Sequence, residues 1–145
     1  MRNQFDALAA IGIKSKIATI SVGAKRVKHD RELLEQAALV EWANLTTMAG
    51  YRIGEYLVHV PNEGKRGPKA SGDFKKSGGK KGYPDLILDI AASGYHGLRI
   101  EMKAIGGKPT PEQLAWIERL RGQGYRAEIC VGFDAAKAVI ESYLS

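Results

Sequence analysis

The chain has 145 residues, with 22 Lys and Arg against 16 Asp and Glu and a net charge of +6. That length supports one domain with a real core, and the positive excess favours a polyanionic partner without dictating a fold. Cys130 is the single cysteine, which excludes an intrachain disulfide, and no apolar run approaches the roughly 20 residues of a membrane span.

Residues 1–28 carry no sustained period. Phe5, Leu8 and Ile11 have helical spacing that Gly12 interrupts, and Ile13, Ile17, Ile20 and Val22 then alternate with Lys14, Lys16, Lys25, Arg26 and Lys28. A short helix and strand, a dimerisation arm, or a basic arm on nucleic acid would each fit. The segment is therefore set apart as an extension to a domain over 29–145. It lacks the apolar core and cleavage pattern of a secretory leader, so a cytoplasmic, reducing setting is expected.

A helix is predicted from Asp30, an N-cap candidate followed by acidic residues in the first turn. Leu34, Ala37, Ala38, Val40 or Glu41, and Leu45 would form its apolar side before Gly50. Glu32 and Gln36, four apart, share a face. Helix-start electrostatics suffices to explain Glu32, and solvation suffices for Gln36.

Tyr56 to Val60 is short, apolar and stopped by Pro61, so it reads as a first strand. The stretch from Asn62 to Lys81 is rich in Gly, Ser and Lys and has no hydrophobic period. It holds Lys65, Arg66, Lys69, Lys75, Lys76, Lys80 and Lys81 against Glu63 and Asp73. A long basic loop of this kind suits contacts with nucleic-acid phosphates.

Two β-type runs follow, Leu86 to Ile90 and Leu98 to Lys103, joined by Ala-Ala-Ser-Gly-Tyr-His-Gly, and they read as a hairpin. Alternation puts Glu101 and Lys103 on one side of the second strand with Met102 opposite, and a ladder could bring Asp85 beside them. Two carboxylates and an ammonium on one sheet face suit metal-assisted phosphodiester hydrolysis: hard cations take carboxylate oxygens, and a lysine can orient water or neutralise developing charge. A surface hairpin with a cross-strand ion pair has the same letters.

Beyond the hairpin, Thr110-Pro111-Glu112-Gln113 is a strong helix start, with Thr as N-cap, Pro at the first position and Gln where a capping box wants it. Leu114, Trp116, Ile117 and Leu120 would form the buried side. Ala127 to Val131 is a further strand, and Asp134 is a cap for a last helix in which Ala135, Ala138, Val139 and Tyr143 recur. Cys130 lies in an apolar run and reads as a packed, reduced core residue. His29, His59 and His96 are scattered and form no zinc spacing. The order α-β-β-β-α-β-α predicts an α/β fold around a mixed sheet.

Pro84-Asp85 followed by Glu101-Met102-Lys103 resembles the PD-(D/E)XK nuclease signature. Further residues match one branch, the VRR-NUC domain, particularly its small stand-alone phage members: His59-Val60-Pro61-Asn62-Glu63-Gly64-Lys65-Arg66, Gly82-Tyr83-Pro84-Asp85-Leu86, and Pro111-Glu112-Gln113 with Trp116. Glu32 and Gln36 on the earlier helix also fit. The resemblance covers about residues 30–145 and implies a restriction-endonuclease-like core. It implies that Asp85, Glu101, the Met102 backbone carbonyl and Glu32 hold Mg2+ or Mn2+, with Glu35 a rival to Glu32. Lys103 would position the attacking water, and Gln113 would stand near the active site. The implied partner is DNA, branched or structured as in a Holliday junction, bound by a homodimer; from the basic loop, Lys65, Arg66, Lys75, Lys76 and Lys81 are the expected contacts. A non-catalytic nucleic-acid-binding module on the same fold is the alternative.

Overall fold

The computed structural model describes residues 27, 29–62 and 67–145. Residues 1–26, Lys65 and Arg66, and what was expected of them, lie outside the described residues. Helix α1 covers 29–45 and residue 27 is also helical, so Asp30 lies inside the helix rather than at its cap. The expected apolar face is also turned. Leu34 and Leu45 are 69% and 82% exposed, whereas Leu39 and Ala43 are fully buried. Small residues and Leu populate both sides of this helix, so periodicity alone did not select the side that packs.

A small hairpin absent from the sequence reading, β1 (Thr47–Met48) with β2 (Tyr51–Arg52), leads through a 3-10 turn at Ile53–Glu55 into the main sheet. Its four strands, β3 (Leu57–His59), β4 (Leu86–Leu88), β5 (Leu98–Lys103) and β6 (Arg126–Val131), stand in sequential order. The first three are antiparallel and β6 is parallel to β5, so the sheet is mixed as expected. The parallel step requires a crossover, supplied by α3 (Pro111–Gly122). The chain ends in α4 (Gly132–Leu144). Part of the stretch expected to be an unpatterned loop forms α2 (Pro68–Lys76), started by Pro68 at its first position and carrying no buried residue.

Every residue of β5 is buried because both sheet faces are covered. Leu98, Ile100 and Met102 join Leu39 and Ala43 of α1 and Ala136, Ile140 and Tyr143 of α4 in one core. On the other side, Ile117 and Leu120 of α3 pack with Ala127, Tyr83, Trp116, Tyr125 and Ile129. Gln113 takes the buried position expected for Leu114, which is 47% exposed. Cys130 is buried as expected, and burial, helped by the Glu128 carboxylate, pushes its thiol up to about 12. It stays a protonated core residue at neutral pH. On α4 the buried positions include Ala136 and Ile140, while Ala138 is exposed. Asp134 lies within the first turn, and the N-cap is Val131, which offers no side-chain acceptor.

Tyr143 ties α4 to the β4–β5 connection. Its hydroxyl donates to Ile90 O at 2.6 Å and accepts from Ala92 N at 3.2 Å, and Ser93 Oγ donates to Tyr143 O at 2.8 Å. Burial pushes the phenol above its ordinary range, so it remains a neutral donor. Tyr143→Phe keeps the ring but removes the donor from a buried carbonyl. It is expected to lower stability by about 1–3 kcal/mol, read as a shifted urea midpoint at constant slope. An unchanged midpoint would show that the hydroxyl ties contribute nothing.

Candidate active site

Asp85 directly precedes β4 and is braced by both neighbouring strands. Its carbonyl accepts from Val60 N at 2.8 Å beyond β3, and its Oδ2 accepts from Met102 N at 2.8 Å on β5. Glu101 and Lys103, two apart on β5, project to the same side, and Lys103 Nζ lies 2.8 Å from Glu101 Oε1. Both are charged groups in a buried place, 1% and 7% exposed. From α1, Glu32 Oε1 approaches Lys103 Nζ to 3.9 Å.

Gln113 fills the capping position that its place in the sequence suggested, and its side chain also reaches Glu101. Its Oε1 accepts from Thr110 N at 2.8 Å while Thr110 Oγ1 accepts from Gln113 N at 3.3 Å, completing the capping box. With the amide oxygen committed to the cap, Nε2 donates to Glu101 Oε1. The helix start therefore fixes a donor on the buried carboxylate. Gly82 makes this seating possible. At φ +83° it approaches the first turn of α3 so closely that a Cβ would lie 2.8 Å from Glu112 C.

Glu32 and Glu35 part company here. Glu35 Oε2 accepts from Phe133 N at 2.6 Å, giving α4 from another helix the cap that Val131 lacks. His59, for which no spacing signal existed, enters through strand pairing. It stands opposite Leu86, and its Nδ1 is 2.9 Å from Gln36 Nε2 and 3.1 Å from Asp85 O. A cleft of about 180 Å³ opens here, lined by His29, Glu32, Leu33, Gln36, His59 and Asp85.

Of the basic residues, Lys75 and Lys76 lie in the last turn of α2, and exposed Lys81 pairs with Glu112 at 3.0 Å. The segment 67–81 holds five lysines against Asp73, a net +4 on a projection whose helix buries no residue. Asn62 Nδ2 donates to Tyr83 O at 2.9 Å, tying the two ends of the connection together beside Asp85.

Removing ionised groups from water costs several kcal/mol each, and a buried pair is often replaceable by apolar residues without loss. Stability alone therefore gives little reason to keep Glu101 and Lys103 inside. Among the described residues, no three His, Cys, Asp or Glu side chains form a ready-made metal cage. The donors around Asp85, Glu101, Glu32 and the Met102 carbonyl are hard oxygens. That set fits a cation of magnesium type, which keeps part of its shell for water and substrate, better than a closed zinc site.

The VRR-NUC domain model matches residues 28–134. A solved structure of a VRR_NUC domain protein is similar with a TM-score of 0.69 and 37% identity, covering 78% of this chain and 87% of that one. Among curated proteins none matches. Among the described residues no helix is long and apolar enough to cross a membrane.

Proposed function

The chain belongs to the VRR-NUC family, a nuclease-type domain, and from that premise we propose that it is a metal-dependent DNA endonuclease acting on branched DNA. The observation that supports this reading is the buried Glu101–Lys103 pair held beside Asp85, an electrostatically costly arrangement that phosphodiester hydrolysis uses. Asp85, Glu101 and the Met102 carbonyl would hold Mg2+ or Mn2+, with Glu32 completing the shell on the α1 side. Such a cation, when bound, polarises the scissile phosphate and lowers the pKa of a water. Lys103 orients the attacking water and neutralises charge that develops on the phosphate. Gln113 holds the Glu101 carboxylate in place through its amide. A four-way junction presents two equivalent strands, so a two-fold dimer with two such sites is the economical geometry.

The test is cleavage of duplex, flap, splayed-arm and four-way junction DNAs with magnesium, manganese or chelator. Metal-dependent cutting that favours branched forms is expected. Tight binding without cutting in either metal would make the protein a binding module on a nuclease fold.

The basic projection adds a second expectation. Each lysine that neutralises a duplex phosphate contributes about −0.9 to the slope of log K against log salt. Changing Lys75 and Lys76 of α2 to Ala should weaken binding alike across sequences and flatten that slope by up to about two units. Cleavage at saturating DNA should fall less, because backbone contacts bind ground and transition states equally. A constant slope with collapsed turnover would instead make α2 part of the catalytic machinery.

A further inference from the structure

Trp116 is a half-buried indole on the face of α3 next to its buried row, and exposed Arg119 places its guanidinium 5.2 Å from the ring centroid. Tyr83 meets the same indole edge-on at 5.0 Å. Tyr83 is itself held twice, by Asn62 Nδ2 at its carbonyl and by Arg99 Nε at its hydroxyl, 3.2 Å away. The aromatic pair is thus fixed while the guanidinium above it is solvent-exposed.

Its location carries the argument. Tyr83 is two residues from Asp85. Trp116 follows Gln113 by one helical turn, and Gln113 donates to Glu101. The indole is therefore joined to the surroundings of both carboxylates, through the chain on one side and through a helix turn on the other. Lys81, paired with Glu112 in the first turn of α3, brings the basic projection to within one helical turn of Trp116.

We infer that Trp116 and Arg119 form a stacking site for an unpaired nucleobase, taken up between indole and guanidinium when the phosphodiester beside it lies at the carboxylates. This inference rests on the nuclease reading and names what that site would recognise. Bases in an intact duplex have both faces covered by their neighbours, whereas bases at a fork or branch offer a free π face. Aromatic and guanidinium planes take such faces with little sequence preference. The site accounts for a preference for branched DNA without base-edge contacts. Arg119, on an exposed side chain, swings aside to admit the base.

The experiment measures binding of labelled splayed-arm and blunt duplex DNAs in chelator, where nothing is cut. Trp116→Ala is expected to weaken splayed-arm binding about 5- to 160-fold, the range of one lost base stack, with duplex binding changed less than about twofold. Trp116→Phe should retain most of the affinity, which separates stacking from damage to the fold. In a Trp42→Phe background, the remaining indole should be quenched by oligothymidylate and not by an abasic sugar-phosphate oligomer. Equal losses on both DNAs, no loss on the splayed arm, or equal quenching by the abasic oligomer would each overturn the stacking site while leaving the nuclease reading intact. Failure of the wild-type protein to bind or cut any DNA would overturn both.

Discussion

Asp85→Asn and Glu101→Gln are each expected to lower metal-dependent cleavage at least about a hundredfold while leaving DNA affinity intact or tighter. Both substitutions keep the side chain's size and an acceptor oxygen. Asn at 85 can still accept from Met102 N, and Gln at 101 retains an oxygen toward Lys103 and Gln113. What each loses is a charge that a hard cation needs, and loss of electrostatic stabilisation at a reacting centre commonly costs two to three orders of magnitude. Without cation, the same carboxylates repel phosphate, so removing one does not weaken the complex. The measurement is single-turnover cleavage in magnesium beside binding in chelator. Retained metal-dependent cutting in either variant would sink the assignment. Glu101→Ala is a poorer probe, because it strands Lys103 Nζ in a buried place without its 2.8 Å partner.

Glu32 and Glu35 should give opposite phenotypes. Glu32→Gln is expected to reduce the cleavage rate by about ten- to a hundredfold with a smaller loss of stability than Glu35→Ala, since it keeps the side chain's size and an acceptor oxygen on the side of Lys103 Nζ, 3.9 Å away. Glu35→Ala removes the acceptor for Phe133 N and the negative charge at the start of α4, costing about 1–2 kcal/mol of stability with a smaller effect on rate. Glu35→Gln keeps an acceptor and should recover most of that loss. The assay pairs single-turnover rates with urea unfolding for all three variants. If Glu35→Gln were the slower enzyme and Glu32→Gln the less stable protein, the roles would be exchanged.

The sequence alone determined the elements whose signals are local. The capping box at Thr110 to Gln113 needs only four residues, and the structure has it. The alternation of Glu101, Met102 and Lys103 follows from the two-residue period of a strand, and the two charged groups do meet. Burial of Cys130, the hairpin and the mixed sheet followed from apolar runs bounded by turn residues. Tertiary structure decided the rest, because the deciding contacts join residues far apart in the chain. Which side of α1 packs depended on the sheet and α4 rather than on a helix with apolar residues on both sides. Glu32 and Glu35 are three apart and the same residue type; what separates them is that Lys103 lies near one and Phe133 N, 98 residues on, takes the other. His59 acquired its place from strand pairing opposite Leu86. A local pattern fixes how a side chain leaves its own backbone, and only the packed fold supplies the group it meets.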